Sequence, residues 1–251
     1  MTNSNRPVNS PTFAPLKNVA SCMTLVNRLI SRPPSLPGLG VMYSPSGFGK
    51  SYASIYAQNK TGAVRVEVGE SWNRKTLVKA LLLELGDAAP RGTIADMTSQ
   101  AIRLIGDDPF RPVIIDEADK LVDKGMIELV REIQEHSQAP ILLIGEELLP
   151  RKLLAVERVH NRVLEWLPAQ PCDIEDALKL AGVFLPGVKI GDALLQRVLE
   201  AAEGRARRIV VSLSGMAEWA RNAGAREVPG DWDGAICTGL PPQRKAIGRR
   251  A

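Results

Sequence analysis

Cysteine is scarce in this 251-residue chain: Cys22, Cys172 and Cys237 make an odd number without CxxC spacing. Such a set supplies neither a disulfide framework nor a structural zinc site, and it points to a reducing, cytoplasmic compartment. The two histidines, His136 and His160, have no partner at ligand spacing and are expected at a surface or an interface. No run of about 18 apolar residues occurs, and the N-terminus has no apolar stretch behind its basic residues. Neither a membrane span nor a secretory leader is expected. Acidic residues are missing from the first 66 positions, which hold seven basic side chains, and from the last eleven, which hold four. The net charge of +4 therefore divides into an acidic middle and two basic ends. A phosphate-bearing partner would meet the ends or a local patch; the same basic ends also serve plain solubility.

What is present is typical of a globular protein, with 45% hydrophobic and 24% charged residues. The length allows one large domain, or one domain and a small appendage. Residues 1–17 are polar and proline-rich and read as a flexible arm. A short helix over Val19–Ile30 precedes the apolar strand Leu39–Tyr43, a glycine-containing turn and a helix from Lys50 to Gln58. Further strands are expected at Ala63–Val68, Val113–Ile115, Ile141–Ile144 and Val163–Leu167, alternating with helices at Lys75–Leu85, Thr93–Ile105 and Leu121–Ile133. Strands that are apolar throughout and alternate with helices imply an α/β fold whose parallel sheet is covered on both faces, here over residues 18–170. After Pro171 only helices are expected, forming a small second domain over 171–223, followed by an extended basic tail over 224–251.

The turn Ser44-Pro45-Ser46-Gly47-Phe48-Gly49-Lys50-Ser51 has the ending of a P-loop and stands between a strand and a helix. In such loops successive backbone N–H groups and the helix N-terminus cradle phosphates, which makes Ser46, Gly47, Phe48, Gly49, Lys50, Ser51 and Tyr52 nucleotide-binding candidates. Lys50 would reach the β- and γ-phosphates, and the Ser51 hydroxyl would ligate Mg²⁺. The pattern has glycine where this chain has Ser44, while Gly47 and Gly49 keep the loop able to close. An ordinary glycine turn is the plain alternative. Sixty-six residues after Lys50, the strand Val113-Ile114-Ile115 delivers Asp116 and Glu117. Asp116 would hold the hydration shell of Mg²⁺ and Glu117 would orient and polarise an attacking water, which suggests hydrolysis.

With SPSGFGKS, VIIDEADKL, ILLIGEELL, HNRVLEWLP and GRARRI in place, residues 13–222 resemble the AAA+ ATPases. The segment ESWNRKTLVKALLLELGDAAPRGT is similar to the transposition regulators among them, typified by the phage Mu B protein and its Tn7-type and TniB relatives. The resemblance implies an AAA+ P-loop NTPase fold with a five-stranded parallel sheet flanked by helices and a small C-terminal helical subdomain. It implies ATP and Mg²⁺ as cofactors. Glu146, after Ile144-Gly145, matches a γ-phosphate sensor, although a carboxylate there is unusual. The arginine finger from a neighbouring subunit maps to Arg162, with Arg158 as the alternative, and a second sensor maps to Arg207, flanked by Arg205 and Arg208. Lys75 and Thr93 would track a DNA backbone, helped by Arg74 and Arg91, in two basic loops expected on the same side of the helix they flank. The implied partners are double-stranded DNA of little sequence preference, a transposase, and further copies of the chain in a helical filament or ring. The setting would be the bacterial host cytoplasm if the chain is phage-encoded.

Several rivals remain. The two basic loops read equally well as helix caps with solvated charges. A replicative helicase loader shares the same core. A small-molecule P-loop kinase would lack the Asp116–Glu117 pair, an interface arginine and a helical second domain. A scaffold that binds nucleotide without hydrolysing it is suggested by Ser44 and Glu146 alone.

Overall fold

A computed structural model describes residues 14–240. Most of the expected arm over 1–17, and the last eleven residues of the expected tail, lie outside the described residues. The chain divides into two compact units, one over residues 15–170 and one beginning at Pro171.

The first unit runs α1 (Lys17–Ser31), β1 (Leu39–Tyr43), α2 (Lys50–Thr61), β2 (Val64–Glu67), α3 (Arg74–Glu84), α4 (Ile94–Gly106) and β3 (Val113–Asp116). It continues with α5 (Asp119–Asp123), α6 (Ile127–Ser137), β4 (Ile141–Gly145), α7 (Leu149–Leu154), α8 (Glu157–His160) and β5 (Val163–Pro168). The five strands pair in the order β2-β3-β4-β1-β5, every pair parallel. Parallel pairing needs a crossover after each strand, and burial of both faces explains why β1, β3 and β4 are apolar runs and not alternating ones. On one face α1 rests directly on β1: a Cβ at Gly40 would meet Leu29 Cδ1 at 2.7 Å and Leu25 Cδ1 at 3.3 Å. The other face carries the main core, in which Leu77 and Leu81 of α3, Met97 and Ala101 of α4 and Val130 and Ile133 of α6 pack on Val41, Ile115 and Leu143. Each such pair stands one helical turn apart, so one stripe of each helix faces the sheet.

Sequence periodicity suggests one helix over Leu121–Ile133, and the structure has two. Gly125 adopts φ +62°. Its N–H bonds Val122 O at 3.0 Å, and Met126 N bonds Leu121 O at 2.7 Å. This pair of bonds is the Schellman ending, which turns the chain out of α5 before α6 restarts the same apolar stripe.

The second unit contains α9 (Ile174–Phe184), β6 (Lys189–Ile190), α10 (Asp192–Ala201), α11 (Ala206–Ala223) and β7 (Glu227–Val228). It is not helical only: β6 and β7 pair in parallel through Lys189–Glu227 and Ile190–Val228. Two residues are too few to show a strand period. Nor does the chain leave the unit after Gly224. Val228 and Trp232 are buried, Arg197 of α10 donates to Gly230 O at 3.1 Å, and Cys237 N donates to Ser212 Oγ at 2.9 Å. Val228 and Trp232 stand four residues apart, but Pro229 and Gly230 between them break any helix, so these apolar residues anchor a segment that reads as a loop. Among the described residues no helix is long and apolar enough to cross a membrane.

Candidate functional site

In parallel sheets ligands bind beyond the carboxyl ends of the strands. Register places the ends of three adjacent strands side by side, with Met42 opposite Ile144, Tyr43 opposite Gly145, and Ile115 opposite Leu143. The loop after β1, the Asp116–Glu117 pair after β3 and Glu146 after β4 therefore share one edge.

Gly47 and Gly49 take φ +92° and +84°, the left-handed region open to glycine at little cost. Gly49 is the N-cap of α2, so Lys50 and Ser51 open the helix with their N–H groups unpaired by any preceding turn. Phe48 O, in the middle of the loop, accepts from Asn18 Nδ2 at 2.8 Å, and the same amide donates to Gln170 O at 2.7 Å. A buried asparagine of α1 thus ties the loop to the segment after β5. Lys50 Nζ donates to Ser44 O at 2.7 Å, Pro45 O at 3.0 Å and Ser44 Oγ at 3.1 Å. Ser44, where the pattern has glycine, is buried and gives Lys50 one acceptor that glycine lacks. Burial holds the Lys50 ammonium below the ordinary lysine pKa, while the carboxylates of Glu146, Asp116, Asp119 and Glu117 oppose that shift.

Asp116 is buried. Its Oδ2 accepts from Arg65 Nη2 at 2.9 Å and its Oδ1 from the Glu117 backbone N–H at 3.0 Å. A carboxylate offers about four lone-pair positions, so capacity remains on Asp116 for the water shell of a metal ion. Ser51, exposed on the first turn of α2, and Asp116 present oxygen only, the donor type Mg²⁺ takes. The residues present therefore fit a nucleotide phosphate with Mg²⁺. Glu117 has φ +59°, a left-handed conformation that costs a non-glycine residue roughly 1–3 kcal/mol and is concentrated at working sites. Its Oε2 lies 3.2 Å from Lys120 Nζ. Asp119 Oδ2 accepts the Glu146 N–H at 2.6 Å and holds the end of β4 against the start of α5.

The arginines divide sharply. Arg162 is committed within its own unit: its guanidinium pairs with Glu135 and donates to Arg158 O at 2.7 Å. Glu135 also binds Arg131. Arg158 is exposed, and among the described residues its guanidinium has no partner. In the second unit Glu203 lies 3.4 Å from Arg205 and 2.8 Å from Arg208, whereas Arg207, on the first turn of α11, is exposed.

The two basic loops stand at opposite ends of α3, whose 11 residues span about 16 Å. Arg74 Nη2 donates to Gly125 O at 2.9 Å. Thr93 is the N-cap of α4 in a capping box: its Oγ donates to Asp96 Oδ2 at 2.6 Å and accepts from Asp96 N at 3.2 Å. Lys75 and Arg91 are exposed and make no ion pair among the described residues. Asn73 is the N-cap of α3, its Oδ1 accepting from Thr76 N at 3.0 Å, so Asn73 and Thr93 do the capping work that the plain alternative assigns to these loops, Arg74 is held by Gly125 O, and two cations are left over. His160 sits beside Trp166, with ring centroids 5.5 Å apart.

Sequence reasoning passed over Asn18, Ser54, Arg65 and Asp119. Arg65 carries a weak signal, being one of two charges, with Glu67, that alternate with valines in β2. The others have none that a single sequence exposes.

Residues 34–153 match the family described as AAA domain. No curated protein matches the chain. Among solved structures, the Aeropyrum pernix ORC2 protein in its ADP form is 16% identical with a TM-score of 0.66, covering 90% of this chain and 69% of its own. The Aeropyrum pernix ORC1 protein in complex with DNA has 16% identity and a TM-score of 0.63, covering 89% of this chain and 65% of its own. The Thermotoga maritima RuvB Holliday junction branch migration motor gives 17% and 0.58, covering 85% of this chain and 65% of its own. This chain thus spans about two thirds of the length of the structures it matches. At such identities the likeness is one of fold, and the fold is that of the AAA+ P-loop NTPases.

Proposed function

We propose that the chain is an AAA+ ATPase that binds ATP with Mg²⁺ at the loop after β1 and hydrolyses it with Glu117. The observation that carries this reading is the juxtaposition, at one sheet edge, of the Gly47–Gly49 loop, Lys50 and the Asp116–Glu117 pair. Backbone N–H groups from Ser46 to Tyr52 cradle the phosphates, and Lys50 exchanges the Ser44 and Pro45 oxygens for those of the β- and γ-phosphates. Ser51 and Asp116 hold Mg²⁺, the latter through water. Bound Mg²⁺ neutralises charge on the phosphate oxygens. Glu117 turns from Lys120 to the attacking water, and Glu146 stands where it can orient that water. An arginine of a neighbouring copy completes the site; Arg158, unpaired among the described residues of its own chain, suits that role better than Arg162. Arg207 is assigned to the second sensor.

We further propose duplex DNA as the partner, contacted through phosphates by Lys75 and Arg91, with Arg74 and Thr93 supporting the loops. Phosphate contacts give affinity without sequence choice. That the matched ORC1 structure is a complex with DNA, and the matched RuvB a branch migration motor at Holliday junctions, is in keeping with this partner. The narrower role is selection of target DNA for a transposase by a head-to-tail assembly on DNA. It rests on the resemblance over Trp72–Thr93. Contacts that repeat without closing give a filament, and a nucleotide between copies couples assembly to ATP.

Electron microscopy of the protein with duplex DNA, with and without ATP, tests this reading when turnover is followed in the same samples. Filaments that need both ligands, with DNA-stimulated turnover, are expected. Dispersed particles whose turnover ignores DNA would contradict it.

A further inference from the structure

The guanidinium of Arg65 is out of place in β2. Its side chain is only 14% exposed, and a charge so placed must be fully partnered to be tolerated. Its partners form a line. Ser54, fully buried on α2, donates its hydroxyl to Ser51 O at 2.7 Å. The same hydroxyl accepts from Arg65 Nε at 2.8 Å. Arg65 Nη2 then reaches Asp116 Oδ2 at 2.9 Å, with Glu67 Oε2 more distant at 3.4 Å. The other Asp116 oxygen is fixed by Glu117 N at 3.0 Å. An unbroken hydrogen-bonded chain therefore runs from the first turn of α2 to the end of β3. Its two termini are the residues to which Mg²⁺ is assigned.

We infer that Arg65 and Ser54 are positioning residues that set Ser51 and Asp116 at the separation a phosphate-bound Mg²⁺ requires. This inference rests on the ATPase reading. Ser51 stands on the first turn of α2, which follows the glycine loop after β1, and β1 is separated from β3 by β4; the far end of α2 leads into β2, the neighbour of β3. The Ser54–Arg65 relay adds a polar tie from the first turn of α2, through β2, to the end of β3. Ser54 has one hydroxyl proton, given to Ser51 O, so Arg65 is its donor and the polarity of the chain is fixed. Without Arg65 the Asp116 carboxylate keeps only the Glu117 N–H and is free to rotate. The metal site then loosens while the loop that cradles phosphate stays intact.

The test is binding of a fluorescent ATP analogue at increasing Mg²⁺, and in EDTA, for the parent, Arg65→Gln, Arg65→Lys and Ser54→Ala, with a melting curve for each. Orienting partners of metal ligands are worth roughly 10- to 100-fold in metal affinity. The Mg²⁺ midpoint of Arg65→Gln should rise by that factor while affinity in EDTA is unchanged. Arg65→Lys, which cannot span both partners, and Ser54→Ala should fall between it and the parent. Should Arg65→Gln fail to fold, Ser54→Ala, which removes one oxygen, decides the matter. A Mg²⁺ midpoint equal to the parent's, whatever the melting temperature, overturns the relay as a metal-positioning device. A parent that binds no nucleotide overturns the ATPase reading itself, an outcome distinct from a parent that binds with a midpoint its variants leave unmoved.

Discussion

Gly145, the last residue of β4, leaves no room for a side chain. A Cβ there would press into Asp119 Oδ2 and come within 2.6 Å of Leu149 Cδ2. Leu149 Cδ2 is the tip of a flexible side chain and can give way. Asp119 cannot move freely, because the same Oδ2 accepts the Glu146 N–H at 2.6 Å. Gly145→Ala should therefore cost about 1–3 kcal/mol through overpacking. Asp119→Ala, which removes a carboxylate from a backbone N–H, should cost about 1.5–3 kcal/mol. At about 2–4 °C per kcal/mol for a chain of this size, each lowers the melting temperature by several degrees. In the double variant the methyl group added at position 145 has the space the carboxylate vacated. The combined loss should fall short of the sum by about 1 kcal/mol or more, against additivity within about 0.5 kcal/mol for independent sites. Urea unfolding followed by far-ultraviolet circular dichroism on the four proteins measures this coupling. Additive losses, or a Gly145→Ala protein as stable as the parent, would refute the claim that Gly145 is kept small to seat Asp119 under Glu146.

The Thr93 hydroxyl and backbone N–H hold the Asp96 carboxyl below the ordinary aspartate range. A depressed folded value means the stabilisation is complete above the unfolded pKa of about 3.9 and is lost as pH falls through the folded one. Asp96→Asn should thus be less stable than the parent at pH 7, the gap closing in acid, while Thr93→Ala costs about 1 kcal/mol; a gap independent of pH would contradict the capping box. For the arginines, single-turnover assays should show Arg158→Ala lowering hydrolysis by about 10³ or more at unchanged nucleotide affinity. Arg162→Ala should chiefly lower the melting temperature by releasing Glu135, and the reverse pattern would return the finger to Arg162.

How far the sequence discloses the molecule depends on how local each signal is. The strands β1, β3 and β4 stand out because parallel burial makes them continuously apolar, and the P-loop stands out because its glycines and Lys50 are contiguous. The break at Gly125 is hidden since the apolar stripe of α5 resumes in register on α6. The packing of Val228 and Trp232 is hidden since Pro229 and Gly230 interrupt their four-residue spacing and Gly234 follows, so the segment reads as a loop. Asp116 and Glu117 are legible beside a strand end, yet Arg65, 51 residues before Asp116, pairs with it only because β2 and β3 are neighbours in the sheet. The sequence likewise favours Arg162 over Arg158, and only the fold places Glu135 within reach of the former. Thr93 reads as a DNA contact or as a cap, and its bonds with Asp96 occupy it as a cap.

ATP turnover with Mg²⁺, measured on the parent, Lys50→Ala and Glu117→Gln with and without duplex DNA, decides whether the site after β1 is a DNA-responsive ATPase centre. Turnover is expected in the parent, no nucleotide binding in Lys50→Ala, and tight ATP binding with arrested turnover and prolonged DNA residence in Glu117→Gln. Turnover in Glu117→Gln equal to the parent's, or nucleotide binding undiminished in Lys50→Ala, would contradict that reading.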